Sequence, residues 1–193
     1  MVKVVVLDVD GTLMDTNYLH TEAWARAFEE VDHRVPRVRL HKQVGKGAGL
    51  LIREFVEDEE TIEKIQDLHS EFYEELQEYG HPLPGAKELI SSLKERGYKV
   101  WFVTSAKDEE LEHHMQELEA EDRVDGVVNS SSVENPKPAP DIFEEALWRA
   151  GATAEETVAV LSGGAHQKEA LEEAGAVAVY EDCAALLDSD FPE

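Results

Sequence analysis

The chain opens with Val4-Val5-Val6-Leu7, an apolar run of β-branched and aliphatic residues with no polar interruption. That is the pattern of a strand buried on both faces in the middle of a parallel sheet. After Thr12 the period lengthens. Leu19, Ala23, Ala27 and Phe28 fall near helical spacing behind a capping Thr16 or Asn17, predicting a helix to about residue 31 that Val35-Pro36 breaks. A short helical stretch over 38–43 leads into the glycine-rich turn 45–49. Helix resumes over 50–55, and a long helix over 61–79 carries Ile62, Ile65, Leu68, Phe72 and Leu76 on one face. The Gly/Pro-rich run 80–85 punctuates this block. From residue 86 strands and helices alternate: helix to 96–97, strand 99–103, helix 108–118, strand 126–128, helix 142–150, strand 157–161, helix 167–174, strand 177–180 and a short helix 184–187. Such alternation predicts an α/β fold, a doubly wound parallel sheet covered on both faces. The expected organisation is a core of residues 1–14 and 84–193, interrupted by an all-helical segment over 15–83.

Composition narrows the partners. With 193 residues and 42% hydrophobic content the chain can bury a sizeable core. Asp and Glu number 43 against 18 Lys and Arg, a formal net charge of -25, which argues against nucleic acid or an anionic membrane as partner. The acid is spread along the whole chain, an excess expected of a protein adapted to high salt, where counterions screen self-repulsion. Cys183 is the lone cysteine, so an intramolecular disulfide or thiol-rich zinc site is ruled out. Met1 runs straight into the first strand, and no apolar stretch approaches the ~20 residues of a membrane span. A soluble cytoplasmic protein, monomer or homodimer, is the expectation.

The first strand ends in Asp8-Val9-Asp10-Gly11-Thr12. Residues two apart on a strand share a side, so Asp8 and Asp10 face the same way, and Gly11 lets the chain turn off and leave the space above them open. Like charges so close raise a pKa unless a cation separates them. A site for a hard divalent cation, Mg²⁺, is one reading; a solvated strand end making a turn is the other. Thr104 follows the strand 99–103, at the edge where open α/β sheets bind ligands. Its hydroxyl and the next backbone N–H suit a phosphoryl oxygen, although a helix N-cap would use the same residue. Lys137, in Pro136-Lys137-Pro138-Ala139-Pro140-Asp141, is held by flanking prolines and suits neutralisation of a carboxylate and a phosphate; a surface lysine is its alternative.

Asp-Val-Asp-Gly-Thr after a hydrophobic strand resembles the first motif of the haloacid-dehalogenase-like (HAD) hydrolases. Thr104 resembles their second motif and Lys137 their third. The resemblance extends over nearly the whole chain and is greatest for the capped phosphatases similar to phosphoglycolate phosphatase and β-phosphoglucomutase. It implies a Rossmann-like core with a small helical cap inserted at 15–83. Asp8 would be a nucleophile forming an aspartyl-phosphate and Asp10 a general acid/base. Mg²⁺ would sit at Asp8 and Asp10, with Gly11, Thr12, Lys46, Ser105 and Ala106 contacting substrate.

Other features carry less. Gly45-Lys46-Gly47 is similar to a phosphate cradle but lacks a preceding strand. Arg37, Arg39, Lys42 and Lys46 concentrate positive charge that could steer a phosphorylated substrate or merely solvate a helix end. The histidines His20, His33, His41, His113 and His114 show no metal-ligand spacing, and Trp24, Trp101 and Trp148 read as core. The family's fourth motif, Gly-Asp-x-x-x-Asp after the next strand, is not matched: Gly163 and Gln167 fall at the acidic positions. An alignment that omits one βα unit, on the order of 20 residues, fits better. A two-carboxylate site follows as the expectation, with weak Mg²⁺ binding unless Glu169, Glu181 or Asp182 reaches it. The activity implied is Mg²⁺-dependent hydrolysis of a small phosphorylated metabolite. The alternatives are an impaired relative that binds a phospho-ligand or partner without turnover, and a phosphomutase-like phosphotransferase.

Overall fold

A computed structural model describes residues 1–160 and 183–187. Four strands, β1 (Val4–Asp8), β2 (Lys99–Val103), β3 (Gly126–Val128) and β4 (Thr157–Val160), form one sheet in the order β3-β2-β1-β4. Every pairing is parallel. β1 lies between β2 and β4, with Val4 opposite Lys99 and Thr157, and Asp8 opposite Val103. This is the α/β Rossmann-like arrangement, with β1 in the interior as its uninterrupted apolar run predicts.

The side-chain period of two assigns each face its helices. Val5, Leu7, Val100 and Phe102 pack with Leu89, Ile90 and Leu93 of α5 (Ala86–Glu95) and with Cys183 and Leu186 of α8 (Cys183–Leu187). Val4, Val6, Trp101, Val103 and Val128 face the other way, onto Ile142, Ala146 and Ala150 of α7 (Asp141–Ala150). α6 (Asp108–Glu117) follows β2, and its first turn carries Asp108, Glu109 and Glu110, the charge sign a helix N-terminus favours.

Between β1 and α5 stand α1 (Asn17–Glu30), α2 (Arg37–His41), α3 (Ala48–Arg53) and α4 (Glu59–Leu76), the last extended by a 3-10 turn to Tyr79. These helices bury a hydrophobic cluster of their own. Trp24, Ala27 and Phe28 of α1 meet Leu40, Leu51, Ile52, Ile62 and Ile65. Asp58 caps α4 by accepting from the Thr61 N–H at 2.9 Å. The helix predicted over 61–79 therefore begins two residues earlier, at the capped turn.

Trp148 corrects the expectation that all three tryptophans are core: it is 76% exposed on α7, whereas Trp24 and Trp101 are buried. The helix predicted over 167–174 and the strand over 177–180 lie outside the described residues. No helix among the described residues is long and apolar enough to cross a membrane.

Candidate functional site

The register that pairs Asp8 with Val103 brings the ends of β1 and β2 to one edge of the sheet. Thr104, one residue past β2, donates through Oγ1 to Asp10 Oδ2 at 3.0 Å, and its oxygen accepts the Ala106 N–H at 2.9 Å. Lys137, from the loop before α7, donates through Nζ to Asp8 Oδ1 at 2.6 Å and approaches the Val103 carbonyl at 3.4 Å. Both side chains of that pair are 11% exposed. Asp8, Asp10, Thr104 and Lys137 thus converge, although Lys137 is 129 positions from Asp8. Gly11 makes the turn at φ 71°, and a Cβ there would stand 2.0 Å from Asn17 Nδ2. The left-handed backbone favours a residue without a side chain, and the Asn17 side chain occupies the space a Cβ would take.

A cleft of about 640 Å³ lies between the helical block and this edge. Asp10, Lys46, Ser105 and Ala106 line it, while Thr12 is buried at 2% exposure beneath the turn. Lys46 also pairs with Glu54 at 3.1 Å. The Gly45-Lys46-Gly47 turn does not serve as a free cradle. The Gly47 N–H donates to the Lys137 carbonyl at 3.0 Å, and a Cβ on Gly47 would meet Pro136 Cβ at 2.5 Å. Gly47 is there for close approach of the helical block to the lysine loop. Arg37 is taken up by Glu22 at 2.6 Å and Glu29 at 3.7 Å, and Arg39 lies over the Phe55 ring.

Next to Asp10 stands a group of residues that their sequence spacing did not reveal. His20 Nε2 lies 3.4 Å from Asp10 Oδ1 and 3.1 Å from Glu110 Oε1. One ligand-type atom each from Asp10, His20 and Glu110 lies within 4.8 Å of the others. Thr16 Oγ1 donates to Asp10 Oδ1 at 2.8 Å, and His114 Nδ1 is 4.0 Å from the same oxygen. Behind them His20 Nδ1 meets His69 Nε2 at 3.3 Å, and Tyr73 OH meets His114 Nε2 at 3.3 Å. The Tyr73 ring stacks on His20 with centroids 4.0 Å apart, and His69 stacks on Trp24 at 3.6 Å. Glu110 brings a third carboxylate beside Asp10 and His20, in a group that does not include Asp8. Glu169, Glu181 and Asp182 lie outside the described residues. The signal available for Glu110 and His114 was their i,i+4 spacing on a helix that starts four residues after Thr104.

Burial and charge pull these groups apart. Burial raises the Asp8 pKa, and Lys137 only partly opposes it while Asp10 adds to it. Burial would raise Asp10 too, but the hydrogen bond and charge of His20, with His114 and Thr16, hold it well below the usual carboxylate range. His20 is pushed up to about 10: desolvation opposes its charge, and the carboxylates of Glu110 and Asp10 outweigh it. His69 and His114 are driven down, first by burial, so both stay neutral beside a charged His20.

A family model for haloacid dehalogenase-like hydrolases matches residues 2–175. The chain belongs to that family. Among similar proteins, "Phosphorylated carbohydrates phosphatase" of Thermotoga maritima is 28% identical over 183 residues, covering 92% of this chain and 84% of that one. "Pyrophosphatase PpaX" of Halalkalibacterium halodurans is 26% identical over 162 residues, covering 82% and 74%. The crystal structure of a hydrolase from Pseudomonas syringae superposes with a TM-score of 0.86 at 26% identity, over 96% of each chain. This HAD-like hydrolase is therefore similar along most of its length to proteins named as phosphatases.

Proposed function

We propose that the chain is a Mg²⁺-dependent phosphatase of small phosphorylated metabolites in the cytoplasm, with Asp8 as nucleophile. The convergence of Lys137 on Asp8 and of Thr104 on Asp10, at the carboxyl edge of a parallel sheet, carries this reading. In the first half-reaction an Asp8 oxygen forms a bond to phosphorus as the bond from phosphorus to the leaving oxygen breaks. Asp10 gives that oxygen its proton. The arriving phosphate raises the Asp10 pKa, favouring the protonated form this step needs, and His20 at 3.4 Å orients the carboxylate. In the second half water attacks the aspartyl-phosphate, its proton goes to Asp10, and the phosphorus–Asp8 bond breaks to release inorganic phosphate. Lys137 neutralises Asp8 throughout, and Thr104 with the backbone after it orients Asp10 and a phosphoryl oxygen.

The donor chemistry suits Mg²⁺: Asp8 and Asp10 present hard carboxylate oxygens at one sheet edge, Asp8 buried and opposed by Lys137 alone. Asp8 and Asp10 would hold it, Asp8 with the freer side chain, since Thr16, His20 and Thr104 already engage Asp10. When bound, the ion offsets repulsion between carboxylate and phosphate. The helical block acts as a cap that closes the cleft, with Lys46, Ser105 and Ala106 against the substrate.

The test is phosphate release from an aryl phosphate and a panel of phosphorylated sugars and small acids, with and without Mg²⁺. Metal-dependent release supports the proposal, and saturable binding without release supports the impaired reading that Gly163 and Gln167 favour. Transfer of the phosphoryl group between positions of one substrate would mark a mutase instead.

A further inference from the structure

The cluster around His20 is more than a strap on Asp10. We propose that Asp10, His20, Glu110 and His114 form a site for a borderline transition-metal dication of the Zn²⁺ class, joining the helical block to the sheet core. Four-coordinate zinc with ligands at ~2.0–2.2 Å sets neighbouring ligand atoms roughly 3.3 Å apart. His20 Nε2 stands 3.1 Å from Glu110 Oε1 and 3.4 Å from Asp10 Oδ1, so two edges of that polyhedron are matched, and the third lies within 4.8 Å. His114 Nδ1, 4.0 Å from Asp10 Oδ1, is the candidate for the fourth ligand, outside the group that already lies within 4.8 Å.

Two further observations point to a ligand. The His114 side chain is 1% exposed, yet its Nδ1 has no hydrogen-bond partner, and the buried Glu110 Oε1 likewise accepts no hydrogen bond of normal geometry. A buried polar atom left unpaired is costly, and the Glu110 oxygen has the His20 ring beside it, at 3.1 Å. The outer contacts are also those of a ligand set. A histidine that binds metal through one ring nitrogen is oriented through the other. His20 Nδ1 meets His69 Nε2, and His114 Nε2 meets Tyr73 OH, while Thr16 and Thr104 hold the Asp10 carboxylate. Two imidazoles and two carboxylates select zinc, cobalt or nickel over magnesium, which takes oxygen ligands alone.

The competing account is an imidazolium lying between two carboxylates. Metal binding would replace that proton, so the two accounts exclude each other at a given His20. Occupancy ties up Asp10, and on the phosphatase reading above it would inhibit turnover; the binding itself does not depend on that reading.

The experiment is titration of the full chain with Zn²⁺ against a chromophoric chelator, without Mg²⁺, which would compete for Asp10. One Zn²⁺ per chain is expected, with affinity falling at least ~10-fold in Glu110→Gln and in His114→Gln. No binding by the parent, or undiminished binding in both variants, overturns the site and leaves the imidazolium account. Should the variants fail to fold by circular dichroism, the parent loaded with Co²⁺ decides. Strong visible absorption of a four-coordinate centre with nitrogen ligands supports the site, and the weak spectrum of an octahedral, all-oxygen centre overturns it. Zinc binding without phosphatase activity would sink the functional reading alone.

Discussion

Asp8 and Asp10 stand two residues apart on one strand, yet their surroundings push them in opposite directions. Asp8 is desolvated with one lysine for compensation, so its carboxylate form is disfavoured by the fold. Replacing it by asparagine removes the charge with little change in volume. Asp8→Asn is accordingly expected to abolish phosphate release while the thermal melt at neutral pH stays within a few degrees of the parent. Turnover at the parental rate would rule out Asp8 as nucleophile. His20 gives a pH signature. It is faced by Asp10 and Glu110, by His69 on its other nitrogen, by the stacked Tyr73 and by His114 across Asp10, with Lys107 acting on His69. Its folded-state pKa of about 10 lies above the ordinary 6.5, so the folded state binds that proton more tightly. The stabilisation is fully present below about 6.5 and is lost as pH rises through about 10. With metal removed by chelator, the difference in melting temperature between the parent and Glu110→Gln is expected to be largest below pH 6.5 and to shrink towards pH 10. A constant difference would mean His20 is not charged between these carboxylates.

At the scale of elements, what the sequence disclosed followed its periodicities. Val4 and Val6 against Val5 and Leu7 are separated by a period of two, and the structure sends them to α7 and α5 respectively. Motif residues next to strand ends were legible because a parallel sheet gathers strand ends at one edge, which places Thr104 beside Asp10 without any side-chain detail. His69 and Tyr73 were not legible, and Glu110 was marked only by its i,i+4 spacing with His114. Each sits on a helix whose polar positions look like any solvated face, and only the packing of α1 against α4 and over α6 turns them inward. Trp148 failed for the converse reason: it lies two residues from the buried Ala146 and Ala150, on the face of α7 turned away from the sheet. Gly47 belongs to this scale too. Its backbone at φ -56° is ordinary, so the demand on it comes solely from Pro136. Gly47→Ala is expected to move the helical block off the lysine loop, since the 2.5 Å contact is with a ring that cannot swing away. Phosphate release should fall about 10-fold or more while far-UV circular dichroism at room temperature stays unchanged, because α1 and α4 keep their shared core. Parental activity in this variant would show that the contact between Gly47 and Lys137 is incidental.

Across the whole molecule, net charge governs how the fold responds to its solvent. If every one of the 18 cations were paired, the chain would still carry 25 negative charges beyond them. Salt acts on this in two opposed ways. It weakens ion pairs such as Lys87–Glu119 and Arg53–Glu59, whose partners are between about one-third and two-thirds exposed. Pairs of that kind contribute ~0–1 kcal/mol each, so their loss is small. It also screens repulsion among the unpaired carboxylates, which acts over the whole surface and grows with the square of the net charge. Raising KCl from 0.1 M to 1 M shortens the Debye length from ~10 Å to ~3 Å, less than the spacing of most surface charges. Repulsion should therefore win, and the melting temperature should rise over that range. For a chain of this size each kcal/mol of relieved repulsion raises it by ~2–4 °C. Chloride is not strongly excluded from protein surfaces, so NaCl should reproduce the KCl curve, whereas a rise confined to sulfate or phosphate would trace to strengthened apolar burial. A flat or falling curve in KCl would mean that the acidic surface is already balanced within the fold and is no adaptation to salt.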